Sequence, residues 1–184
     1  MSNENCLLAG GFTLDCNEGV GGVKEIFLCN WEDLETGVTL DGTTGEVNAL
    51  PSGLTLFRYQ PNRNTGALTM TPNANLENGT LYFSQVVEFM MGKMDADKHK
   101  ELVKLAKAKV GVFVRMYTDQ ILFVGRTDGA FLTAGSFQTG KAKGDANGYS
   151  VTLTAEEPEL APFCEAYTSV PFDNFTGVTI SPAY

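Results

Sequence analysis

Apolar and polar residues alternate through most of this chain in short runs, broken by glycine, threonine, asparagine and proline. That is the pattern of half-buried strands joined by turns. Residues 23–31 (VKEIFLCNW) read as a strand with Val23, Glu25, Phe27, Cys29 and Trp31 on one face. Further strands are expected over 54–59, over 67–71 and over 80–91, the last being richest in β-branched and aromatic residues. Residues 110–117 and 120–125 flank Thr118-Asp119 and predict a tight hairpin. Strands over 130–138 and 148–155 follow, separated by the turn signal GDANG at 144–148, and a last strand is expected within 175–180.

One segment breaks the rhythm. Residues 95–109 (DADKHKELVKLAKAK) contain no proline or glycine and place Leu102, Leu105, Ala106 and Lys109 at helical spacing. Asp95 or Asp97 is positioned to cap the start, the lysines favour the C-terminal end of the dipole, and Gly111 is expected to stop the helix. The stretches 36–53 and 60–79 are rich in Gly, Thr, Asn and Pro and predict long, protruding hairpin-like loops that become ordered on contact. The fold class expected is therefore mainly β, an antiparallel β-sandwich or barrel with one packed α-helix, in one domain spanning 1–184 with terminal arms at 1–15 and 169–184.

Composition narrows the function. The chain has 184 residues, 43% hydrophobic and 19% charged, enough apolar material for a core and too little charge for a disordered chain. Its net charge of −9 argues against binding nucleic acid by phosphate neutralisation. No apolar run approaches a bilayer span, and MSNENC lacks the basic and apolar character of a signal peptide, so no membrane partner is expected and synthesis in a cytoplasm is. Within that acidic chain, residues 93–109 carry +3, leaving −12 elsewhere. Two readings stand: a solvated helix face, or a basic surface carrying Lys100, Lys104 and Lys107 that docks on an acidic surface of a neighbouring copy.

No catalytic constellation emerges. Cys6, Cys16, Cys29 and Cys164 form no C-x-x-C pair and the single histidine, His99, is distant from all of them, which leaves no zinc pattern and predicts free thiols. GSFQTGKA at 135–142 approaches a phosphate loop but places Ala142 where Ser or Thr is required and leads to a turn and a strand. Asp145 and Asn147 lack the alternating ligands of a calcium loop. The expectation is no catalytic residue, no metal and no cofactor.

The stretch GKAKGDANGYSVTLTAEEPELAP, within 130–162, resembles the closing region of tail tube and other virion proteins of tailed bacteriophages: a glycine turn leads to Asp145, Gly148 and Tyr149, then to an alternating strand and a proline-bearing exit. The resemblance implies a β-barrel or sandwich flanked by a helix, assembling with itself into stacked hexameric rings whose lumen passes DNA as cargo, in contact with other virion proteins. It implies a location in the virion tail. It also implies a lumen lined by polar strand faces such as Thr69 and Thr71, and loops bearing Asp41, Asn62 and Asn73 that reach a neighbouring ring. Four cysteines and a lysine-rich helix depart from that plan. The alternative reading is another virion module (capsid decoration, tail terminator or connector) or a bacterial surface β-domain that binds a partner or a glycan.

Overall fold

The computed structural model describes residues 11–12, 19–34 and 36–184, and within them the chain is an antiparallel β-sandwich with one helix. Cys6, Cys16 and the expected arm at 1–15 fall largely outside the described residues. The strands in chain order are β1 (Val23–Asn30), β2 (Thr39–Leu40), β3 (Val47–Ala49), β4 (Thr55–Tyr59), β5 (Ala67–Asn75), β6 (Thr80–Gly92), β7 (Val110–Met116), β8 (Ile121–Val124), β9 (Phe131–Gln138), β10 (Gly148–Glu157) and β11 (Thr179–Ser181). The helix α1 (Ala96–Leu105) lies between β6 and β7. One sheet has the order β11-β4-β1-β7-β8, the other β5-β6-β10-β9, and β2 pairs with β3 in a small ribbon.

Two apolar cores stack on opposite faces of the first sheet. Between the sheets, Ile26, Leu28, Val112, Val114 and Val124 meet Val87, Phe89, Val151 and Leu153, and Leu102 and Leu105 of α1 close the side. On the other face, Phe27, Cys29, Phe113 and Phe123 are covered by Leu34, Val47, Leu50, Phe172 and Phe175 from the connecting segments. Phe113 stacks on Phe123 at 4.3 Å, and Phe172 meets both Phe27 (5.1 Å) and Phe113 (5.3 Å) edge-on, geometries that aromatic quadrupoles favour. Burying each such ring contributes about 1.5–3 kcal/mol. Phe172 holds φ 66°, a backbone region bulky residues rarely enter, and its ring is fixed in that aromatic nest.

Because both faces of the first sheet are buried, β1 shows no clean alternation: Ile26, Phe27, Leu28 and Cys29 are all inside. The expected single face also breaks at its ends. A bulge between Val23 and Glu25 turns Val23 into the inter-sheet core, and Trp31 begins a 3-10 turn (Trp31–Asp33).

The helix is shorter than expected. It ends at Leu105, and Ala106 to Lys109 form a tightened exit that delivers Val110 into pairing with Asn30 and Ala130. Lys109 rests on the Trp31 ring, 3.3 Å from its centroid, while its carbonyl accepts the Trp31 N–H. Gly111 therefore does not stop the helix. It lies inside β7, where a Cβ would overlap Leu34 Cδ1 and crowd Cys29 Sγ. Asp95 occupies the N-cap in extended conformation, but its side chain makes no capping bond; its carbonyl accepts from His99 N–H and the Tyr149 hydroxyl.

The segments expected to protrude divide into two kinds. Residues 36–53 lie down on the outer core through β2, β3, Val47 and Leu50. Residues 60–79 largely become β5 and its turn, and the β5–β6 hairpin runs on past the rest of its sheet to Asn75↔Thr80. The stretch 169–184, expected as an arm, packs on its own chain: Phe172 and Phe175 are buried and β11 pairs with β4. That last pairing is parallel, so the sandwich has one parallel edge.

Candidate functional site

The sheet β5-β6-β10-β9 has one face in the inter-sheet core and one face bare. Register fixes which residues share the bare face: Thr69 lies opposite Val86, which lies opposite Thr154, and Thr71 lies opposite Ser84, which lies opposite Glu156. Ala67, Glu88 and Thr152 form the next rung, and Ser136, Ser150 and Met90 the one after it. The result is a field of small hydroxyl side chains whose charged members are Glu88 and Glu156. Thr133 and Thr154 share a hydroxyl hydrogen bond of 2.8 Å across β9 and β10. Alternation in SVTLTAEE of β10 produces this surface: Val151, Leu153 and Ala155 point into the core, and Thr152, Thr154 and Glu156 point out.

The outer edges of β5 and β9 carry no neighbouring strand among the described residues. β5 is mostly exposed over its length, and β9 is exposed at seven of eight positions. Unpaired backbone donors and acceptors along such edges are templates for strand addition. Beyond Pro72↔Phe83 the β5–β6 hairpin continues as an unsupported arm with roughly 10 Å of paired strand plus its turn. Leu76, Leu81 and Tyr82 are exposed there, the first at 96%.

The structure places the expected residues on several separate surfaces. Thr69 and Thr71 lie on the bare sheet face. Lys100 and Lys104 project from α1 but face carboxylates of their own helix, Asp97 at 3.9 Å and Glu101 at 2.7 Å, while Lys107 lies past the helix end. Asp41 sits in the β2–β3 turn, where the backbone N–H groups of Thr44 and Thr43 donate to its carboxylate and hold it below the usual carboxylate range. Asn62 clips its loop to the end of β6: its side-chain oxygen accepts the Gly92 N–H at 3.0 Å and its own N–H donates to the Met90 carbonyl. Asn73 lies on the arm opposite Tyr82, with its amide on the Thr71 carbonyl. These side chains do not converge on one point.

The largest polar cluster is elsewhere and is internal. Arg115 donates to Glu25 at 2.7 Å and to Asp119 at 2.7 Å, the Tyr184 hydroxyl donates to Glu25, and Tyr167 and Lys24 complete Asp119. Arg58 stacks on the Tyr184 ring at 4.3 Å. Burial pushes the Glu25 carboxyl up, but the hydrogen bonds from Tyr184, Arg115 and Gln60 outweigh it and leave it below its ordinary value. A cleft of about 480 Å³ beside Arg115 is lined by Asp119, Tyr167, Glu46 and Glu165. Among the described residues no group of three or more His, Cys, Asp or Glu side chains is placed to hold a metal ion.

The glycine segment at 135–142 lies in β9 and the β9–β10 connection. Asp145 there accepts the backbone N–H groups of Lys141 and Ala142, each at 2.7 Å, and the chain enters a strand instead of a helix. Sequence reasoning missed Glu88 and Glu156 as members of the bare face and missed the full length of the arm. The alternation of β10 was the available signal for the first. No family, curated protein or solved structure matches the chain.

Proposed function

We propose that this chain is a structural subunit of a bacteriophage tail tube, assembling with itself into stacked rings that form a conduit for DNA. One observation carries the reading: a four-stranded sheet with a bare, hydroxyl-rich face between two open edges. Joining β5 of one copy to β9 of the next would complete both sets of backbone hydrogen bonds and close the sheets into a ring. The bare faces then form one continuous wall. Hydroxyls with scattered carboxylates suit a wall along which a polyanion must slide, because Glu88 and Glu156 repel phosphate and no cation on that face retains it. The tail-tube resemblance at 130–162 covers β9 and β10, two of the strands in this sheet.

The test is direct. Purified protein is imaged by negative stain across a concentration series, with mass measured by light scattering on the same samples. Rings or tubes of uniform diameter are expected. A monomer that persists at high concentration overturns the reading.

A further inference from the structure

The two ends of the β5-β6-β10-β9 sheet carry opposite charge. At one end β6 closes at Gly92, opposite Gly148 and Gln138, and the chain beyond supplies Lys93, Lys141 and Lys143. Lys98 joins them, its Nζ donating to the carbonyls of Gly92 (2.9 Å) and Lys93 (3.1 Å), and Arg63 follows Asn62, which is bonded to Gly92. The carboxylate of Asp145 at this end is already engaged by backbone N–H groups, and Asp97 lies near Lys100.

At the other end, where Glu157 pairs with Phe83 and Thr154 with Phe131, the exposed charges are Asp128, Glu156 and Glu159, with Glu77 at the tip of the arm. The cations there are engaged: Arg126 on Glu159 at 3.0 Å and Lys109 on the Trp31 ring. Glu157 is buried and holds the Thr127 and Asp128 N–H groups, which fixes the Asp128 turn at this end.

We propose that copies of this chain stack head to tail along the strand direction, the Lys141/Lys143 end of one copy seated on the Asp128/Glu156 end of the next. The partner is a second copy of this chain, and the inference rests on the tube reading. Contact between like ends would juxtapose like charge, which costs several kcal/mol at an interface, whereas opposite ends attract. A contact between two different surfaces repeats without closing and generates an open polar filament. The arm points the same way, extending past the acidic end towards the basic end of the following copy. Charge thus sets the direction of stacking, while the edges of β5 and β9 set closure within a ring.

Two double variants test this. Lys141, Lys143, Asp128 and Glu156 are exposed and take part in no ion pair among the described residues, so reversing them spares the fold. K141E/K143E makes both ends acidic, and D128K/E156K makes both ends basic. Each alone should pellet as tubes about tenfold less than wild type or worse, leaving single rings in negative stain. An equimolar mixture should restore tubes, because each copy then meets an opposite end. Tubes from either variant alone, or a mixture that stays unstacked, would overturn the head-to-tail pairing and leave the ring reading standing. Wild-type protein that forms no rings would overturn the tube reading itself.

Discussion

Glu25 and Arg115 are register partners on β1 and β7, and their side chains meet at 2.7 Å with both residues buried. The carboxylate also takes bonds from Gln60 and Tyr184, so one acidic residue ties together β1, β7, the exit of β4 and the chain after β11. Removing one member of such a pair strands a buried charge, whereas replacing both with apolar groups of similar volume does not. Arg115→Met should cost about 3–5 kcal/mol in urea unfolding, and the double variant Glu25→Leu/Arg115→Met should recover most of it.

The same carboxylate sets a pH dependence. Its folded value lies below the unfolded value near 4.5, so the unfolded chain binds the proton first as pH falls. The contribution of Glu25 is fully present above that value and is lost on acidification through the folded value. Thermal melts from pH 7 downward should fall less steeply in the Glu25→Leu/Arg115→Met protein than in wild type.

Phe172 lies in a stretch that composition marks as a loose arm, yet its ring is 3% exposed between Phe27 and Phe113. Phe172→Ala should destabilise by about 3–5 kcal/mol, as a buried aromatic truncation does, with a reduced unfolding midpoint and an unchanged m-value. A surface aromatic such as Phe137, 52% exposed, should tolerate the same change with little loss.

Burial pushes the Cys29 thiol up to about 12, and burial pushes Cys164 up as well. Both are free and inside the outer core. Iodoacetamide at pH 8, followed by peptide mass spectrometry, should leave both unlabelled in the native protein and label both in denaturant. Because the folded values exceed the unfolded 9.0, this contribution to stability is complete below pH 9 and declines above it.

Hydrogen exchange separates the two long loops. Amides at 73–81, on the arm, should exchange fast in dispersed protein and slow down on assembly. Amides of β2 and β3 should exchange at the same rate in both states, since Val47 and Leu50 already anchor that segment. Protection of 36–53 confined to the assembled state would reassign the contact loop.

The strands were legible where one face meets water. Alternation in β10 and the Thr118-Asp119 turn between β7 and β8 both emerged from residue pattern alone, and Asp119 takes the positive φ such a turn requires. Legibility failed where the environment is two-sided. Ile26 to Cys29 offer no period, and the bulge that turns Val23 inward follows from pairing with Met116, a partner remote in the chain. The end of α1 was misplaced because Ala106 to Lys109 retain helical composition while tertiary pairing of Val110 pulls the backbone away. The bare sheet face was half legible: Thr69 and Thr71 could be read from one strand, but their neighbours Glu88 and Glu156 become neighbours only through register.

The central position of β1 has a kinetic consequence. It is flanked by β7 and β4, and β4 in turn by β11, so the first sheet cannot form until residues on either side of 31–109 and of 60–178 have found each other. Such long closures precede the contacts that reward them, which places folding among the slow β topologies, in milliseconds to seconds. Through that interval the edges of β5 and β9 are already available within a locally connected sheet. Partly folded chains therefore present adhesive strands before their own core is sealed, and yield of well-formed assemblies should improve when chains mature at low concentration before they meet.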